Sequence, residues 1–153
     1  MLLETQDLSL SAGAGIRLPT GDEATGGDVW IVSPQLAVWH DIGNRWSLRG
    51  GVAADLRAES SAVAPDMALI FNAAISHTVT DHDQIPWGNF TYYLAANVKV
   101  DLDSSEDHTF VSLTPGVRTH VGDNAFLVTG VEVELTNPDV FDQRYLLLLV
   151  VGF

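Results

Sequence analysis

The sequence predicts an all-β fold: an antiparallel up-and-down meander of about eight strands, forming a transmembrane β-barrel or part of a larger one. Three observations predict it. Apolar residues alternate with polar or small ones at the strand period of two along most of the chain. Helix signals are nearly absent. The connections between the alternating segments switch between tight-turn sequences and longer acidic loops, the pattern of a barrel with one short-turn rim and one long-loop rim.

Residues 8–19 form the first predicted strand, with Leu8, Leu10, Ala12, Ala14, Ile16 and Leu18 opposing Ser9, Ser11, Gly13, Gly15 and Arg17. Residues 29–40 form the second. In the third, 45–57, Trp46, Leu48, Gly50, Val52, Ala54 and Leu56 oppose Ser47, Arg49, Gly51, Ala53 and Asp55. Residues 67–78 make the fourth. The fifth, 89–102, alternates most cleanly: Phe90, Tyr92, Leu94, Ala96, Val98, Val100 and Leu102 on one face, Thr91, Tyr93, Ala95, Asn97, Lys99 and Asp101 on the other. Residues 109–121 are the sixth. In the seventh, 125–136, Val131, Val133 and Leu135 oppose Gly130, Glu132 and Glu134. Residues 143–153 end the chain. Each segment reaches the roughly 9–11 tilted residues that a bilayer crossing needs.

Tight turns are expected at Asp41-Ile42-Gly43-Asn44 and Gly122-Asp123-Asn124, with 81–88 a longer connection at the same rim. Residues 20–28, 58–66, 103–107 and 137–142 are polar, acidic loops.

Composition narrows the function. The 153 residues are 46% hydrophobic yet carry a net charge of -13, because the acids collect between apolar segments. Seven basic residues face twenty acidic ones and form no run, so nucleic acid is excluded as a partner on electrostatic grounds. Cysteine is absent, which removes disulfides and thiolate metal sites. No apolar run approaches the roughly 20 residues of a transmembrane helix, and Met1-Leu2-Leu3-Glu4 does not open a signal peptide. An exported protein would then show here its mature form, or a piece of a longer chain.

Alternation alone fits a soluble sandwich as well as a membrane barrel; the chemistry of the non-apolar face separates them. That face is mostly Gly, Ala, Ser, Thr and Asn with isolated charges of both signs, which suits a barrel interior. The expected lumen-lining residues are Arg17, Arg49, Asp55, Asn97, Lys99, Asp101, Arg118, Glu132 and Glu134. Enclosed charges have to be paired or solvated, since unpaired burial is costly. Trp30, Trp39, Trp46, Trp87, Phe90, Tyr92, Phe126, Tyr145 and Phe153 sit near strand ends, where interfacial girdles place amphipathic rings.

The C-terminus is the most specific signal. Tyr145, Leu147, Leu149, Val151 and Phe153 share one face of a strand that ends on the terminal Phe. This resembles the C-terminal assembly signal of outer-membrane barrels, and the resemblance implies recognition by the barrel-assembly machinery. At the other end, Gly15-Ile16-Arg17-Leu18-Pro19-Thr20-Gly21-Asp22 resembles the Leu-Pro-Thr-Gly-Asp strand end of the candidate transporter family named for the MetA pathway of phenol degradation. Leu135-Thr136-Asn137-Pro138 and Phe141-Asp142 are similar to that family too. The resemblance implies a Gram-negative outer-membrane barrel. Because members of that family are typically longer, residues 1–153 are expected to be either a single barrel domain or the C-terminal part of a longer barrel.

Candidate chemistry is sparse. His40, His77, His82, His108 and His120 show no metal-ligand spacing. Ser104, Ser105, Glu106, Asp107 and His108 are the only local grouping of nucleophile, acid and base, and adjacent loop residues rarely reach triad geometry. The His-x-Ser-Asn type motif of the lipid A deacylase barrels is missing. The expectation is therefore no enzyme, no cofactor and no metal site. The acidic stretches 101–107 and 21–23 could bridge lipopolysaccharide phosphates through divalent ions, or be plain solvated loops.

The function expected is an outer-membrane channel or transporter for small molecules, hydrophobic or aromatic ones included. Outer-membrane lipid and lipopolysaccharide would surround it. Two alternatives stay open: a structural or adhesive outer-membrane barrel that conducts nothing, and a soluble β-sandwich or lipocalin-like binding protein. The second requires a further layer over the apolar set Phe90, Tyr92, Leu94, Val98 and Val100.

Overall fold

The computed structural model describes residues 1–19, 29–57, 67–81, 84, 87–102, 109–136 and 143–151. They form one antiparallel sheet of nine strands in strict sequence order. The strands are β1 (Leu3–Glu4), β2 (Leu8–Arg17), β3 (Ile31–Gly43), β4 (Trp46–Arg57), β5 (Met67–Thr78), β6 (Thr91–Asp101), β7 (Thr109–Gly122), β8 (Ala125–Glu134) and β9 (Gln143–Val151). The eight expected strands are all present, and β1 is added as a two-residue ribbon against β2. Among the described residues the sheet does not close: β9 pairs with β8 alone and β1 with β2 alone. It is a partial barrel.

Two of the connections are two-residue turns. Between β3 and β4 the turn is Asn44-Arg45, a step beyond the expected Asp41 to Asn44, because β3 continues through a bulge between Asp41 and Gly43. Asp41 Oδ1 accepts a 2.8 Å hydrogen bond from the Gly43 N–H, which fixes the bulge. Asn44 and Arg45 both have positive φ, 53° and 65°, the hairpin geometry whose twist matches the strands. Asp123-Asn124 turns β7 into β8 beside a second bulge.

Pro34 and Pro115 lie inside strands, where a missing N–H should interrupt a ladder. Each does so on one side only. Pro34 pairs with Ala14 of β2, while the β3–β4 ladder skips residues 33 and 34. Pro115 pairs with Leu94 of β6, while the β7–β8 ladder skips 114 and 115.

The two faces invert the polarity of a water-soluble protein. Ser76, Thr91, Ser112, Thr114, His120, Glu132 and Glu134 are buried, and the registers put all of them on one face. Leu36, Val38, Leu48, Val52, Phe71, Ile75, Leu94, Leu147 and Leu149 are exposed, and they share the other. No second layer lies over the polar face among the described residues, so the sheet itself must curl over that face to bury it.

Candidate functional site

The polar face is where chemistry is concentrated, and strand register decides what meets there. Side chains alternate between faces, so one consistent register sorts every strand at once. The row Ser11, Ala37, Gly51, Asn72, Asn97, Ser112 and Glu134 crosses seven strands in unbroken partnership. Arg49, Lys99, Asp101, Arg118 and Glu132 lie on the same face through their partners Ala74, Ile70, Ala68, Thr91 and Arg144. Arg17 joins it through Ile31, and Asp55 through Ala68. The nine residues expected to line a lumen therefore share one face.

The charges on this face are partly neutralised in place. Glu132 is 4% exposed and accepts a 2.5 Å hydrogen bond from Ser112 Oγ and a second from Arg144 Nη2. Asn97 Nδ2 donates to Ser112 Oγ and Thr114 Oγ1, each at 3.3 Å. Lys99 pairs with Asp101 at 2.9 Å, and Ser33 Oγ donates to Asp55 at 2.5 Å. Arg144 is a cation absent from the expected set, as is Arg57, which joins the face through Ile31. The strand of Arg144 is apolar on both faces, with Leu146 and Leu148 following it in step, so alternation gave no sign that position 144 faces inward.

Removing this cation should be measurable. Arg144→Ala leaves the buried Glu132 carboxylate with the Ser112 hydroxyl but no charge partner. The expected cost is about 1–3 kcal/mol, the range for an ionic hydrogen bond whose acceptor stays buried. Arg144 is largely exposed, which holds the figure to that range. Urea midpoints of the folded protein in detergent would show it; an unchanged midpoint would mean that water already serves Glu132.

Tyr93 is a second feature legible only in three dimensions. Its ring lies over Gly116 and Gly130, and its hydroxyl donates to the Thr129 carbonyl at 3.1 Å. The two glycines form a trough across β7 and β8 that the ring occupies.

Two aromatic residues expected in a girdle belong to the polar face instead. Trp39 partners Arg49, and Phe126 partners His120. Both stay in phase with the polar rows of their strands, Trp39 with Ala37 and Phe126 with Gly130 and Glu132. Trp46, His77 and Tyr92 do share the apolar face near the short-turn rim, with Trp46 and His77 rings 4.6 Å apart. Tyr145, Leu147, Leu149 and Val151 lie exposed on the apolar face of β9, as expected, while Phe153 falls outside the described residues. The acidic loop at 103–108 and residues 21–23 also fall outside them.

Comparison with known protein families matches the sequence to one family model. The model of the family described as "Putative MetA-pathway of phenol degradation" matches residues 2–146, including the middle of the chain where the sequence motifs were silent. The chain belongs to this family. Neither the curated proteins nor the solved structures give a match.

Proposed function

We propose that this member of the phenol-degradation family is part of an outer-membrane β-barrel of a Gram-negative bacterium, and that it passes small molecules, hydrophobic or aromatic ones among them, along its polar face. The observation that carries the reading is the inverted polarity of the sheet. Buried Ser, Thr, His and Glu on one face and exposed Leu, Val, Ile and Phe on the other are stable when lipid surrounds the apolar side. On this reading the chain has no catalytic role, its surroundings are outer-membrane lipid and lipopolysaccharide, and the barrel-assembly machinery inserts it.

Eight full-length strands alone would enclose a lumen filled by side chains. A pathway therefore needs more strands, added at the β9 and β1–β2 edges by further polypeptide or by another copy. One observation favours the non-conducting alternative: Tyr93, Glu132 and Ser112 already fill part of the polar face.

Protein expressed from its whole gene and reconstituted in liposomes tests both. Expected are a heat-modifiable band on gels and leakage of a small trapped solute. A heat-modifiable band without leakage would select the structural barrel. A protein that stays monodisperse without detergent and does not insert would sink the membrane reading.

A further inference from the structure

The two halves of the polar face are built differently, and one row shows it at a single depth. Along Ser11, Ala37, Gly51, Asn72, Asn97, Ser112 and Glu134, exposure drops beyond β5. Ala37 and Asn72 are exposed, Asn97 is half-buried, and Ser112 and Glu134 are 0% and 8% exposed. The open edges of the sheet do not cause this. Asn72 belongs to β5, the middle strand of nine, whereas Ser112 on β7 stands nearer an edge and is the more deeply buried.

Side-chain direction explains the contrast. On β3 and β5 two amide side chains lie sideways across the glycine of the preceding strand. A Cβ at Gly51 would stand 3.0 Å from Asn72 Oδ1, and one at Gly13 would stand 3.4 Å from Gln35 Nε2. Each amide rests where its glycine has no side chain, which keeps it out of the space in front of the wall. On β7 and β8 that space is taken. Asn97 donates to Ser112 and Ser112 to Glu132, Arg144 reaches Glu132 from β9, and the Tyr93 ring covers Gly116 and Gly130. The open half is also uncharged at mid-depth. From Ser11 to Asn72, and in the next row from Gly13 through Gln35 and Ala53 to Ile70, no position carries a charge.

We infer that the solute path follows the β2–β5 half of the polar face, and that Gln35 and Asn72 are the side chains that set its width and meet the solute there. Their amides both donate and accept hydrogen bonds and carry no charge. The filter therefore acts by size and hydrogen bonding, and the solute it fits is a small uncharged molecule with a hydroxyl or carbonyl group. The inference deepens the channel reading by placing the path and naming its solute class. It rests on that reading for the flux, whereas the open half requires only the folded barrel.

The test uses the full chain in liposomes. The chain has no cysteine, so single introduced cysteines report access to a membrane-impermeant maleimide. Ala37→Cys and Ala53→Cys should label at least about tenfold faster than Ser112→Cys, because a buried thiol reacts only when the structure opens locally. Val38→Cys, exposed but on the apolar face, should stay unlabelled. Liposome swelling in erythritol, an uncharged polyol, reads the path itself. Ala37→Trp and Asn72→Trp should each slow it several-fold by filling the open half. Gln35→Leu and Asn72→Leu, which keep the bulk without the hydrogen bonds, should slow it as well, while Ser112→Cys should swell like the parent. If Asn72→Trp does not fold, Ala37→Trp, at an exposed alanine, carries the test. Equal labelling of Ala37→Cys and Ser112→Cys, or swelling unmoved by the Trp and Leu changes, would overturn the inference. The expected labelling pattern without swelling of the parent would fail the channel reading and leave the open half standing; swelling with equal labelling would do the reverse.

Discussion

Val98→Arg and Val131→Arg should each destabilise the bilayer-inserted protein by roughly 2–4 kcal/mol, the cost of a cation on the lipid face near mid-depth. Both positions are fixed by register. Val98 lies between Phe71 of β5 and Val111 of β7, and Val131 partners Tyr145 of β9, so each is set in an apolar row. Asn97 is one residue from Val98 but faces the other way, between Asn72 and Ser112, with Glu134 next in the row. Asn97→Arg forfeits two 3.3 Å hydrogen bonds and brings a positive charge toward Glu134, so its cost should be well below that of Val98→Arg. Urea titration in lipid vesicles compares the three variants directly. Equal tolerance would mean that neither face meets lipid. A soluble sandwich would show its own signature: Val98→Arg would disrupt a protein that needed no lipid to fold.

How far such facing assignments were legible in the sequence depended on contrast between the two sides of a strand. In β6 the contrast is strong, Tyr92, Leu94, Val98 and Val100 against Asn97, Lys99 and Asp101, and both the strand and its facing were readable. The bounds of β5, residues 67–78, were also readable, since the acidic run before Met67 and the polar connection after Thr78 delimit it. Contrast disappears in β9, where Leu146, Leu148 and Val150 on the polar face match Leu147, Leu149 and Val151 on the other. Arg144 was missed for that reason, and with it the Glu132 pair. Turn position was displaced for a different reason. Asp41, Gly43 and Asn44 are all turn formers, and only the bulge decides that the reversal falls on Asn44-Arg45. The expected lumen set did share a face, because mixed-sign charges on small-residue strands have only one side to occupy when the other is uniformly apolar.

Gly116→Ala should be among the most destabilising single-methyl changes in this chain, at about 3 kcal/mol or somewhat more, the upper end for overpacking when backbone has to move. A Cβ at 116 would stand 2.3 Å from the Tyr93 ring and hydroxyl and 2.4 Å from the Thr129 carbonyl oxygen. A flexible side chain could step aside from such a contact, but the Thr129 oxygen belongs to the paired β8 backbone and cannot move without parting the ladder. Tyr93 is itself held by its hydrogen bond to that same oxygen. Adding Tyr93→Ala to Gly116→Ala should therefore recover part of the loss, from the ring contact, and leave the part due to Thr129. Gly15→Ala is the internal comparison: its nearest neighbour would be the Ser33 Cβ at an ordinary 3.8 Å. There the methyl meets no obstacle, and the lower entropy of the unfolded chain should make the change neutral or stabilising by up to about 1 kcal/mol. Gly51→Ala, with contacts of 3.0–3.2 Å to the Asn72 amide and the Leu36 carbonyl, should fall between the two. Unfolding midpoints of the three alanine variants in one detergent give the order directly. Should Gly116→Ala prove as mild as Gly15→Ala, the Tyr93 ring does not lie in the glycine trough, and the packing of β6 across β7 onto β8 would have to be redrawn.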